Sequence, residues 1–172
     1  LLLLENYLHP NGQIPAYEWA FGDVNPPVHA MAALKVFRAE RVQRGRGDIA
    51  FLKRVLHKLL LNHTWWINRK DATGTNIFEG GFLGLDNISV YDRSKPLPPG
   101  YTLKQADATG WLAMFSLHLT VIALEIAVED PAYANIAIQC YRQFLPIGYA
   151  IAEHTGAFVS LWDAVQGFFK RP

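Results

Sequence analysis

Apolar positions along the chain fall into four helical blocks of two alternating kinds. The first block opens at Asn25-Pro26, where Asn can cap and Pro takes the first helical position at no cost in hydrogen bonds. The spacing predicts a helix over about 26–44, with Val28, Ala30, Met31, Ala32, Ala33, Leu34, Val36 and Phe37 apolar on nearly every side. Such a helix suits enclosure by other helices. Gly45 and Gly47 stop it, and Asp48 can cap a second helix over about 48–68. There Leu52, Val55, Leu56, Leu59 and Leu60 recur at three- and four-residue steps, while Lys53, Arg54, His57 and Lys58 fill a wet face. Residues 108–128 are again apolar all round, and Asp130-Pro131 repeats the capped start for a helix over 131–153. Pro146 lies inside that last pattern, which predicts a kink or break at Leu145.

From Arg69 to about Lys104 the helical period is lost, and Gly74, Gly80, Gly81, Gly84, Pro96, Pro98, Pro99 and Gly100 appear. A loop this long in a compact domain is functional or disordered. Ile77, Phe78, Phe82, Leu83, Leu85, Ile88, Val90 and Tyr91 carry enough apolar surface to pin it, so an ordered loop is predicted. Enclosed and amphipathic helices alternate along a chain that builds two concentric helical layers, and no strand alternation competes. The predicted fold is all-α: a partial (α/α)6 barrel, or toroid, of about two helical hairpins, with the first and third helices in the inner layer. Twelve helices do not fit in 172 residues, so inner-helix apolar residues should be unusually exposed.

Charge and composition narrow the function classes. Sixteen Lys and Arg against fifteen Asp and Glu leave +1, no footprint for nucleic acid or an anionic membrane. Apolar residues at 51% against 18% charged exclude disorder and point to apolar surface that belongs against a partner. The single Cys140 rules out an internal disulfide and a multi-thiolate zinc site, and fits a reducing, cytoplasmic compartment. His29, His57, His63, His118 and His154 show no metal-binding spacing; they read as structural or surface groups, and neither metal nor cofactor is expected. Trp111–Val128, broken by Ser116, His118, Thr120 and Glu125, reads as a buried helix rather than a membrane span. Leu1–Leu4, with no initiator Met, basic region or cleavage site, reads as a cut from a longer polypeptide rather than a signal peptide.

The densest polar and glycine pattern is Glu79-Gly80-Gly81-Phe82-Leu83-Gly84-Leu85-Asp86-Asn87. Apolar packing around Asp86 would raise its pKa, as protonating a glycosidic oxygen requires; an Asx-turn in a Gly-rich loop is the competing reading and the one local spacing favours. Tyr17-Glu18-Trp19-Ala20-Phe21-Gly22-Asp23-Val24-Asn25 leads into the first enclosed helix. Its aromatic faces can stack on sugar C–H surfaces while Glu18, Asp23 and Asn25 bond hydroxyls; equally, Tyr17, Trp19 and Phe21 can be loop anchors and Asn25 a cap. Gln105-Ala106-Asp107 leads into the other enclosed helix, at the same mouth if the inner helices run parallel, and Asp107 reads first as an N-cap. Trp65 and Trp66 read as core, and Arg38, Arg41, Arg44 and Arg46 as a solvated helix end.

Pro15 to Ala30, Thr64-Trp65-Trp66-Ile67-Asn68-Arg69-Lys70-Asp71 and Asn76 to Ile88 resemble bacterial members of glycoside hydrolase family 63, the mannosyl-oligosaccharide glucosidase and mannosylglycerate hydrolase-like enzymes. The resemblance covers roughly Leu8 to Phe169. It implies that residues 1–172 are a fragment of a single (α/α)6 catalytic domain performing inverting hydrolysis of α-linked glucosides or mannosides. It places the general acid at Asp86, within Gly84-Leu85-Asp86-Asn87, and a sugar wall at Tyr17, Glu18, Trp19, Phe21, Asp23, Asn25, Glu79, Phe82, Asn87, Gln105 and Asp107. The family's general base, a later Glu, has no counterpart before Pro172, so the fragment alone is expected to be inactive. Leu161 to Phe169 resembles the family's Leu-Trp-Asp-Glu-x-Asp-Gly-Phe-Phe but carries Ala164 and Gln166 where acids are usual. The partners implied are an oligosaccharide or small α-glycoside and the remainder of the parent domain, with no nucleic acid or membrane. The competing class is a helical-repeat scaffold binding a partner protein on its concave face, against which no repeat of 30 to 45 residues is found. A prenyltransferase-type toroid would need zinc ligands that Cys140 lacks.

Overall fold

In the computed structural model the described residues are 2–16, 21, 24–69, 71, 74–79, 99–100, 107–152, 162–163 and 168–169. The protein is mostly helical: α1 (Leu2–Asn6), α2 (His29–Arg44), α3 (Ile49–Arg69), α4 (Ala108–Ala127), a 3-10 turn at Pro131–Tyr133 and α5 (Ala134–Ala152). Two short strands, β1 (Trp162–Asp163) and β2 (Phe168–Phe169), pair antiparallel, an element the hydrophobic pattern did not call for.

Local chemistry sets most boundaries. Asp48 caps α3, its Oδ1 accepting from the Phe51 N–H at 2.9 Å, and Gly45 ends α2 in the left-handed region at φ 73°. Asp130 takes the Ala132 N–H, with Pro131 at the first position of the turn that leads into α5. Helix α2 begins at His29 rather than 26, because Asn25 donates its amide to the Ala16 carbonyl at 3.3 Å instead of capping. Of the kink or break expected at Leu145, the break is absent: α5 continues in extent across Pro146.

Helix α4 is the hub, packing against α2, α3 and α5, with Leu112, Phe115, Leu119, Ile122 and Ile126 fully buried. It is the one helix among the described residues long and apolar enough to cross a membrane by length and composition, yet much of its surface lies inside the bundle. Helix α3 lays Leu52, Val55, Leu56 and Leu59 onto α4, and Trp66 closes the same stripe. Helix α2 buries Ala30, Ala33, Leu34 and Phe37 on one face, while Val36 and Val42 are exposed. Gly47 lies so close to the Phe37 ring that a Cβ would fall 2.2 Å from it, which presses the α2–α3 turn onto the core.

Contacts fix the directions. The start of α3 meets the end of α4, where Lys53 pairs with Asp130, and the last turns of α3 reach back to the first half of α4, where His63 meets Ser116. Helix α3 is therefore antiparallel to α4. The Arg41–Glu125 pair joins the C-terminal turns of α2 and α4, so these two run parallel. One end of the bundle, its head, thus holds the N-termini of α2 and α4 and the C-terminus of α3.

Candidate functional site

The head is built by loops bound to helix ends through neutral hydrogen bonds. Residues 9–13 form a tight turn, with Gly12 N–H on the His9 carbonyl at 2.8 Å and His9 N–H on the Gln13 carbonyl at 2.9 Å. Gly12 is required here: its φ is +96°, and a Cβ would lie 2.3 Å from the Leu61 carbonyl of α3. The buried Asn62 amide donates to the Gly12 carbonyl at 2.8 Å and fixes the turn to α3. From there Gln13 donates to the Phe21 carbonyl at 2.8 Å, Pro15 and Val24 form an antiparallel bridge, and Phe21 packs edge-on against His9.

This strap and the ends of α2 and α3 line a half-open cleft of about 380 Å³. Its walls are mostly flat and apolar, from Ile14, Pro15, Pro26, Pro27 and Trp66, with polar groups supplied by Tyr7, Asn25, Asn62 and His29. That mixture is what small-molecule sites use to combine affinity with orientation. Burial holds the His29 imidazole below its ordinary pKa, and its Nδ1 is buried with no hydrogen-bond partner among the described residues.

On the α4 side, Asp71 accepts from Thr75 and Asn76 N–H groups at 3.1 and 2.8 Å, with Asn76 at φ 59°. The chain then enters the core at Phe78, whose N–H donates to the Thr109 hydroxyl at 3.0 Å and whose ring is fully buried. Glu79 follows, half-buried beside the start of α4. Asp107 occupies the N-cap position of α4 but makes no capping hydrogen bond with its side chain, contrary to the local rule. Two turns further along α4, His63 Nε2 and the Ser116 hydroxyl are 2.8 Å apart, both buried. Burial pushes the His63 pKa down to about 4, so the ring is neutral at pH 7 and serves as a core hydrogen-bonding group.

Of the residues the sequence nominated, Phe21, Asn25, Glu79 and Asp107 lie at this head. Asp86, Tyr17, Glu18, Trp19, Asp23, Phe82, Asn87 and Gln105 lie outside the described residues. Sequence reasoning did not single out Tyr7 or Asn62; it read Trp66 as core, which its burial bears out, and His29 as a structural or surface group. A signal existed for Asn62: with His63 it occupies the apolar stripe of α3 between Leu59 and Trp66, and a polar residue there needs a partner. Nothing in the sequence marked His29 apart from the other histidines.

No protein-family model matches the chain, and no solved structure does. A Saccharomyces cerevisiae protein named "Uncharacterized protein YMR196W" is 62% identical over 147 residues. The match takes in 86% of this chain but spans only 14% of the length of the yeast relative.

Proposed function

We propose that the chain is part of the catalytic domain of an inverting α-glycoside hydrolase acting on α-linked glucosides or mannosides of oligosaccharides, with its helices supplying about two of the six hairpins of an (α/α)6 toroid. The observation that carries this reading is positional. With α2 and α4 parallel, the segment ending at Asn25, the loop entered through Glu79 and the segment ending at Asp107 all attach to one end of the bundle. These are the three segments whose polar and aromatic residues could form the wall of a sugar site. A cleft of flat apolar faces with a few amide and hydroxyl groups lies beside Asn25, and that chemistry suits neutral sugar rings.

In this reading Asp86 protonates the glycosidic oxygen. Tyr17, Glu18, Trp19, Phe21, Asp23, Asn25, Glu79, Phe82, Asn87, Gln105 and Asp107 hold the sugar. A Glu elsewhere in a longer, cytoplasmic polypeptide activates the water across a gap of about 6.5–9.5 Å. Asp86→Asn in that polypeptide keeps the shape but cannot donate a proton, so kcat on an unactivated α-glycoside should fall by about 10²- to 10⁴-fold. The loss should shrink on a glycosyl fluoride, whose leaving group needs little protonation. Normal turnover by Asp86→Asn would remove it from the mechanism and make Glu79 and Asp92 the next acids to test.

A further inference from the structure

Helix α4 carries a second apolar row that the described residues cover only in part. Gly110, Met114, Leu117, Val121, Leu124 and Val128 recur at alternating steps of four and three, and none is polar. Met114 and Val121 are half-buried, while Leu117, Leu124 and Val128 are 37%, 52% and 84% exposed. A row with a mean step of 3.5 residues follows one side of a helix and packs knobs-into-holes against another helix. On α2, Val36 and Val42 are also exposed, at 57% and 86%, and the Arg41–Glu125 pair ties α2 to α4.

Three kinds of occupant could cover such a row: a bilayer, a second copy of the chain, or a helix of a longer polypeptide. A bilayer favours a helix apolar on all its lipid-facing sides, whereas α4 buries its other faces against α2, α3 and α5 and leaves only a narrow stripe. Of the other two, the length of the yeast relative favours a helix of a longer polypeptide. At 62% identity, the matched region is followed or preceded by 86% more of the relative's own chain, ample to supply a covering helix in cis.

We infer that the Leu117–Leu124–Val128 row is the seam on which an apolar helix from the remainder of a longer polypeptide packs. The seam concerns packing alone, so its failure would leave the Asp86 kinetics intact, and the reverse. The test places Leu117→Lys with Leu124→Lys both in the 172-residue chain and in the longer polypeptide, with Leu61→Lys on the exposed face of α3 as control. In the short chain the paired substitution should leave the melting temperature unchanged and abolish binding of an apolar dye. In the longer polypeptide it should cause loss of soluble, folded protein, because two charges are then buried without partners, while the control behaves alike in both. Equal tolerance in the two contexts would overturn the seam. So would a short chain that sediments as a dimer until the row is charged, or that floats with phosphatidylcholine vesicles until the row is charged.

Discussion

The two ends of the bundle are held by different physics. At the head, the contacts are neutral and buried: Asn62 on the Gly12 carbonyl, Phe78 N–H on Thr109, and His63 beside Ser116. At the opposite end, the tail, they are ionic and wet. Arg41 pairs with Glu125 at 3.0 Å, Arg44 with Glu40 at 2.8 Å and Lys53 with Asp130 at 2.7 Å, all substantially exposed. A buried donor or acceptor that loses its partner costs its full desolvation, whereas an exposed ion pair is screened by water and salt. The head is therefore the end whose geometry is specified, and it is the end where the candidate site lies. Each prediction below attacks that contrast, from the head toward the tail.

The largest effect should come from pH acting on His63. Its unfolded pKa is 6.5 and its folded value is about 4, because burial penalises the cation. Below pH 6.5 the unfolded chain takes up a proton that the fold refuses, so stability falls with pH and levels off once the folded ring also titrates near 4. Across that window the loss should reach about 3 kcal/mol. Urea unfolding of the wild type and of His63→Gln at a series of pH values checks it. The variant should lose this component of the slope, and an unchanged slope would show that another group causes the acid sensitivity.

Gly12→Ala comes next. The substitution sets a Cβ against the Leu61 carbonyl and forces a side chain into positive φ. Left-handed backbone alone costs about 1–2 kcal/mol, and the clash adds to it. The measurable sign is a lower melting temperature together with release of the strap, seen as faster hydrogen exchange at Gly12 and Gln13. A head that tolerated this change without loss would not be the specified end.

How much of this was legible depends on whether a residue's partner is local. The extent of α3 follows from Asp48 and a three-four stripe, both readable within a few residues, and structure and expectation agree there to one residue. The start of α2 was misread because Asn25 has a distant option, the Ala16 carbonyl, that local capping rules do not contain. At Pro146 the chain does not break for a related reason: α5 packs extensively on α4, and tertiary contact carries the helix through a residue that removes one of its own bonds. At the candidate site, the placing of Asn25, Glu79 and Asp107 at one end of the bundle follows from α2 and α4 running parallel. His29 was not legible, because its interest arises only where its Nδ1 is buried beside a cleft without a partner among the described residues.

Thr109→Val tests a single bond of the head at nearly constant volume. The methyl group replaces a hydroxyl that accepts the Phe78 N–H in a fully buried setting. Leaving that donor unsatisfied should cost about 1–3 kcal/mol by chemical denaturation. Thr109→Ser keeps the acceptor and should recover most of the loss. If valine and serine cost the same, the contribution of Thr109 is packing rather than hydrogen bonding.

The smallest effect belongs to the tail, and it sharpens the comparison by its dependence on salt. Arg41 reaches Glu125 with half of its side chain in water and also lies 5.5 Å over the Phe37 ring. Removing the charge with Arg41→Gln should change stability by less than about 1 kcal/mol, the usual worth of an exposed pair. A double-mutant cycle with Glu125→Gln separates the ion pair from the contact with Phe37, since only the coupling between the two substitutions reports the pair. That coupling should fade between low and high salt as the Debye length contracts from about 30 Å at 0.01 M to about 3 Å at 1 M. The cost of Thr109→Val at the head, where no net charge is involved, should stay constant over the same range. A coupling that persisted in high salt would mean the tail is held as tightly as the head, and the division between a specified end and a permissive one would fall.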